Sequence, residues 1–172
     1  MSNAAKVAKA VVAGGLVLGG PAIIAHIAQL EGRDLVVRAD ALAYGVPTVC
    51  GGYTDWSLRV GQAYTKADCD RIDHDTAVKY GRGVLACVRV PLNQNQFDAL
   101  TLFAINVGVA GACGSRAVQL VNAKQYAAGC RAISRGPNGE YVWSYSGGQF
   151  RQGLANRRAF ETKLCVTPVE AA

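Results

Sequence analysis

Residues 23–54, "IIAHIAQLEGRDLVVRADALAYGVPTVCGGYT", change character twice. Up to Leu30 the chain is aliphatic and reads as a helix, and Glu31 stands immediately behind it. After Asp40 comes a stretch with Gly45, Pro47, the β-branched pair Thr48-Val49 and Gly51-Gly52, which reads as short strands joined by tight turns. Most of the remaining chain reads as helix. In "YTKADCDRIDHDTAVKYGRGVLAC", Thr65 stands three residues before Asp68, a capping-box-like start, and Cys69, Ile72, Thr76 and Lys79 or Tyr80 recur at helical spacing. "LNQNQFDALTLFAINVG" puts Phe97, Leu100, Phe103, Ala104 and Val107 on one stripe of a core helix that ends before Gly108. Shorter helices are expected at 115–122 and 124–134, and a last one at 154–165. "RGPNGEYVWSYSGGQ" between them reads as a loop. A β-rich segment and then a run of helices is an α+β arrangement with segregated elements, and its natural site is a cleft between a small β lobe and a helical lobe.

The chain has 172 residues, 51% of them hydrophobic, which suffices for one domain with a real core plus a short anchor. A net charge of +6 favours an anionic partner: nucleic acid, lipid headgroups or an acidic cell-wall polymer. Cys50, Cys69, Cys87, Cys113, Cys130 and Cys165 contain no C-x-x-C pair, and with His26 and His74 as the only histidines there is no zinc spacing, so neither metal nor cofactor is expected. Six scattered cysteines are most simply three disulfides formed in an oxidising compartment. Pairing in chain order, Cys50 with Cys69, Cys87 with Cys113 and Cys130 with Cys165, closes three local loops.

An oxidising compartment requires export. Lys6 and Lys9 precede "AVVAGGLVLGGPAIIA", an apolar run with no A-x-A cleavage site behind it. The run is near spanning length but rich in Ala and Gly, with Pro21 inside it, so its residence in a bilayer is weak. The lysines keep the N-terminal end in the cytoplasm and the rest outside.

Glu31 and Asp40 are a pair of carboxyls in different surroundings. Hydrolysis of a glycosidic bond uses such a pair: one acid held protonated by an apolar wall, one ionised in a polar setting. Spacing alone would equally suit two solvated surface acids. The ordered motifs go further. Glu31-Gly32, Asp40 and the Gly-rich "GVPTVCGGYT" with Thr48, then "NQFDALTLFAINVG", then "WSYSGGQFRQGLANRRAFETKLC", together resemble the phage lysozymes, a muramidase family, and among them the endolysins of lambda-like phages. The resemblance spans about residues 24–166.

The resemblance implies a lysozyme-like α+β fold, a small β-hairpin lobe plus a larger helical lobe. It implies a peptidoglycan hydrolase with Glu31 as general acid, Asp40 positioning the attacking water and Thr48 holding that water on the opposite face of the sugar. Inversion is implied too, with carboxyls roughly 6.5 to 9.5 Å apart. Asn106 and Tyr145 are implied substrate contacts; for Trp143 and Tyr145, packing against the final helix is the competing reading. Arg157, Arg158 and Glu161 read as an ion-pair set. Three positions depart from the family pattern: the Asp40-to-Thr48 spacing is two longer than usual, which makes Thr54 a substitute for Thr48; Tyr53 replaces a His; and Arg38 replaces an aromatic residue. Relatives of this kind carry a signal-anchor-release segment. Here it would be residues 1–29, ahead of a muramidase domain at 24–166 and a tail at 167–172, with Ile24, Ile27 and Leu30 becoming the inward stripe of the first helix after release. The expected partners are bacterial peptidoglycan, the host inner membrane and the host secretion machinery, with no nucleic acid. A monomer in the host periplasm, at first tethered to the inner membrane, is expected. The competing function is a non-catalytic wall-binding module.

Overall fold

The computed structural model describes residues 11–13, 15–40 and 45–169. The elements are β1 (Val11–Ala13), β2 (Leu16–Leu18), α1 (Pro21–Glu31), β3 (Asp34–Asp40), β4 (Val46–Cys50), β5 (Tyr53–Thr54), α2 (Lys66–Cys87), α3 (Gln94–Gly114), α4 (Arg116–Asn122), α5 (Tyr126–Arg131), β6 (Tyr145–Ser146), β7 (Gln149–Phe150) and α6 (Gln152–Val166). Strands form three small sheets, β1-β2, β3-β4-β5 and β6-β7, and helices make up most of the rest, the expected α+β class. The chain divides into two compact units, one holding Gly19–Thr76 and the other Val12–Leu18 with the chain from Ala77 onward.

In the first unit, Pro21 occupies the first turn of α1, where its missing N–H costs nothing. The helix buries Ile23 and Ile27. Ile24 and Leu30 are only partly covered, so the inward stripe runs through Ile23 and Ile27 instead of the expected Ile24, Ile27 and Leu30. Extended chain begins at Asp34, ahead of Asp40. β3 pairs antiparallel with β4 through Arg38↔Thr48 and Asp40↔Val46, with a bulge between Asp34 and Arg38, and β4 pairs with β5 through Thr48↔Thr54. Val37 and Val49 are buried with Cys50 and Cys69, and Leu58, Tyr64 and Ile72 pack on them. The Cys50–Cys69 disulfide ties β4 to α2. Thr65 and Asp68 cap α2 reciprocally: the Thr65 N–H donates to Asp68 Oδ2 at 3.0 Å, and the Asp68 N–H donates to Thr65 Oγ1 at 3.1 Å.

The core of the second unit is α3. Asn93 and Gln96 form a capping box at its start, and every residue from Phe97 to Ala104 is buried, so the helix is enclosed all round instead of along one stripe. Helical geometry breaks at Gly108 (φ 80°, ψ 154°), where the sequence predicts an end, but a further helical segment continues to Gly114. Among the described residues α3 alone is long and apolar enough to span a membrane, and burial in this core accounts for that composition. Cys87–Cys113 and Cys130–Cys165 complete the disulfide set in the expected order. The pair Arg157 and Arg158 with Glu161 is buried in α6: Arg158 Nη2 donates to Glu161 Oε1 at 2.6 Å, and Arg157 Nε donates to the same oxygen at 3.3 Å.

Two segments differ from expectation. The apolar run, read from sequence as a weak bilayer segment, carries two short strands ahead of the first helix: residues 11–13 lie in β1, 16–18 in β2 and 21–25 in α1. The strand geometry of β2 is held by the Gln94 side chain, which accepts from the Val17 N–H and donates to the Val17 carbonyl, both at 2.9 Å. The expected loop at 135–149 contains the start of a hairpin, β6-β7, turning on Gly147 and Gly148, whose φ values of 57° and 75° suit a two-residue turn. Residues 1–10, with Lys6 and Lys9, and the last part of the tail lie outside the described residues.

Candidate active site

Glu31 is the last residue of α1, and the turn at Gly32 (φ 73°) releases the chain into β3. It is solvent-exposed, not sheltered behind an apolar wall as expected, because it lies past the buried Ile23 and Ile27 turns. Its side chain packs on the backbone of Gly51: a Cβ placed there would stand 3.2 Å from Glu31 Cβ and 3.4 Å from Asp73 Oδ1. That close approach is fixed on the other side by Cys50, bonded to Cys69 of α2.

Behind Gly51 lies an ion network that the sequence motifs do not single out. Arg33 donates from Nη2 to Asp73 Oδ2 at 3.0 Å and from Nη1 to Asp70 Oδ1 at 2.7 Å, and Lys66 reaches Asp70 at 2.9 Å. Asp73 is 3% exposed. Burial pushes its carboxyl above the ordinary carboxylate range; Arg33 pulls against this, and the neighbouring Asp70 and Glu31 charges add to it. For the less enclosed Asp70, burial is outweighed by hydrogen bonds from Lys66 and Arg33, which hold its carboxyl below the ordinary range. A signal was present: Asp73 falls four residues after Cys69, on the inward face of α2, where an ionisable residue needs a partner.

Asp40 ends β3. Side chains alternate across a strand, so the register puts Arg38 and Asp40 of β3, Val46 and Thr48 of β4 and Thr54 of β5 on one face, opposite the buried Val37 and Val49. Thr48 is on the strand next to β3, diagonal to Asp40 and about 7 Å from it by strand geometry. Thr54 is one strand further away. Thr48 Oγ1 donates to the Val46 carbonyl at 3.1 Å. Arg38, at the usually aromatic position, pairs with Asp34 at 2.8 Å across the bulge. Tyr53, at the usual His position, donates its hydroxyl to Asp55 Oδ2 at 3.3 Å.

Glu31, Asp40 and Thr48 thus belong to the first unit; Asn106 and Tyr145, both exposed, belong to the second. Asn106 stands on α3 just before the Gly108 break. Trp143 packs edge-on against Phe103 of α3 at 5.4 Å, and Tyr145 meets Phe150 across β6-β7 at 5.7 Å. Among the described residues no cluster of His, Cys, Asp and Glu suited to a metal ion is found.

Comparison with known proteins gives this geometry its family. The phage lysozyme family model matches residues 28–161, which include all five candidate residues. The SAR-endolysin of Pseudomonas phage phiKMV is 33% identical over 151 residues, covering 86% of this chain and 88% of its own length. The SAR-endolysin of Enterobacteria phage P21 is 28% identical over 80% of this chain and 78% of its own. Among solved structures, a single-substitution mutant of P22 lysozyme superposes with a TM-score of 0.75 at 26% identity, covering 86% of this chain and 97% of that one. The muramidase domain of SpmX from Asticaccaulis excentricus gives 0.73 at 28%, covering 87% and 97%. A family match across most of the chain, with a curated relative one-third identical over most of both lengths, establishes that this chain belongs to the phage lysozyme family and is a glycoside hydrolase of the lysozyme kind.

Proposed function

We propose that this lysozyme cleaves the β-1,4 bond between N-acetylmuramic acid and N-acetylglucosamine in bacterial peptidoglycan, with inversion. Glu31 donates a proton to the leaving oxygen. Asp40 orients the attacking water, with Thr48 holding it against the far face of the sugar, and Asn106 and Tyr145 contact the glycan. The observation that carries this reading is the setting of Glu31: a helix-terminal acid fitted onto Gly51, in the same unit as a sheet face that bears Asp40 and Thr48. Thr48, on the strand adjacent to β3, is preferred to Thr54. Glu31→Gln tests the assignment: turnover on purified cell wall falls by about 10²-fold or more while binding persists. Mass spectrometry of the wall fragments made by the unmodified enzyme is expected to show reducing ends, and the first-formed anomer, read by NMR, is inverted. Undiminished turnover by Glu31→Gln, or anhydro-sugar ends, overturns the reaction as written.

The relatives named SAR-endolysins extend the reading to regulation. The apolar N-terminal segment threads the enzyme through the host secretion machinery and tethers it to the inner membrane, facing the periplasm. While residues up to Leu30 lie in lipid, Glu31 stays at the interface, away from Asp40. Release, on collapse of the membrane potential, lets α1 form and bring Glu31 to Gly51. Membrane-fractionated protein is therefore expected to digest cell wall far more slowly than released protein, and equal rates discard the mechanism.

A further inference from the structure

The second unit carries an aromatic surface of which the catalytic assignment uses only Tyr145. Tyr141, Tyr145 and Phe150 remain 40%, 53% and 40% exposed, although each is large and apolar enough to repay burial. They form one patch: Tyr141 meets Phe150 edge-on at 5.1 Å, and Phe150 meets Tyr145 at 5.7 Å. The backbone fixes them. Tyr145 and Phe150 oppose each other across β6-β7, the Arg151 N–H donates to the Ser144 carbonyl at 2.8 Å, and the Val142 N–H donates to the Ser134 carbonyl at 3.2 Å.

Arg135 completes the patch. A bridge pairs it with Tyr141, and its guanidinium carbon lies 3.5 Å from the centre of the Tyr141 ring. Among the described residues the guanidinium makes no hydrogen bond or ion pair; the ring alone holds it. A guanidinium stacked on an aromatic face is pre-organised, with its planar fork of donors still open to a carboxylate. Cation and rings together match a glycopeptide: pyranose faces suit aromatic rings, and the stem peptides of the wall end in carboxylates. The overall charge of +6 is of the sign this ligand requires.

Resting on the lysozyme reading above, we propose that Arg135, Tyr141 and Phe150, continuous with Tyr145, form a wall-binding site in which the Arg135 guanidinium takes a stem-peptide carboxylate while an adjoining sugar lies against the rings. The site holds the enzyme to its polymer and takes no part in bond cleavage.

Binding is measured with the full chain carrying Glu31→Gln, on purified sacculi and on sacculi stripped of stem peptides by an amidase. Adding Arg135→Gln is expected to lower affinity for intact sacculi about tenfold and leave affinity for stripped glycan unchanged. Arg135→Lys, which keeps the charge but loses the fork, falls between. Phe150→Ser weakens both substrates alike. If Arg135→Gln binds both materials as before, or loses both equally, the proposal is overturned. Because these measurements need no turnover, their failure is separate from failure of the catalytic assignment, which is read by wall digestion with the unmodified enzyme.

Discussion

At Gly51, one methyl group reaches the acid. The space for its Cβ is bounded at 3.2 Å by Glu31 Cβ and at 3.4 Å by Asp73 Oδ1. Cys50 on one side is locked to Cys69, so the backbone cannot retreat and the Glu31 side chain must give by a few tenths of an ångström. Gly51→Ala is expected to lower kcat about tenfold with KM nearly unchanged, because displacing Glu31, the proposed proton donor, costs transition-state alignment more than substrate binding. Retained kcat would separate Glu31 from the chemistry. The ion pair behind it obeys a different rule. Arg33→Met leaves Asp73 enclosed without its cation and is expected to cost about 3 kcal/mol in urea unfolding at neutral pH, whereas Arg33→Met with Asp73→Leu recovers most of that loss, since an apolar pair of similar size carries no desolvation penalty. Additive losses in the double variant would show that the pair is not coupled.

The elements differ in how much of their cause is local. The α2 start is local: Thr65 and Asp68 satisfy each other's backbone N–H groups, so Thr65→Ala is expected to cost about 1 kcal/mol, read as a lower urea midpoint with unchanged slope. That cap, the helical breadth of α3 and the break at Gly108 were legible because each is written within a few residues. The in-order disulfides were legible for the same reason of proximity. β1 and β2 were not, since the strand-like bonding of Val17 is supplied by Gln94, 77 residues away, and an aliphatic Gly-rich run carries no period to distinguish strand from helix. The β6-β7 hairpin was hidden by composition: its Gly-Gly turn reads as loop until Tyr145 and Phe150 are seen to face each other. Of the candidate site, Glu31, Asp40 and Thr48 came from motif order, whereas Gly51, Arg33 and Asp73 depend on which residues α1, β4 and α2 bring into one place.

Across the whole molecule, several acids are buried at a cost that varies with pH. Asp98 on α3 is 3% exposed and accepts from Gln94 Nε2 at 2.7 Å; burial, only partly opposed by that hydrogen bond, raises its carboxyl from the ordinary 3.8 to about 6. Burial likewise carries Glu161 up to about 7 against the pull of Arg158 and Arg157. For an acid raised in the folded state, the unfolded chain releases its proton first. Between about pH 4 and pH 6 the folded protein therefore binds more protons than the unfolded one, and stability falls as pH rises. Asp98 alone accounts for a loss on the order of 3 kcal/mol across that window, and Glu161 prolongs the decline toward about pH 7. Asp98→Asn cannot ionise and keeps an acceptor for Gln94, so it is expected to flatten the curve between about pH 4 and 6 and to exceed the unmodified protein in stability above about pH 6. Urea unfolding at intervals of about one pH unit from 4 to 7 measures this directly. A variant that keeps the full slope would mean that the proton uptake belongs elsewhere. A variant less stable than its parent at neutral pH would mean that the Asp98 carboxylate, once ionised, holds Gln94 and through it β2 more firmly than its burial costs.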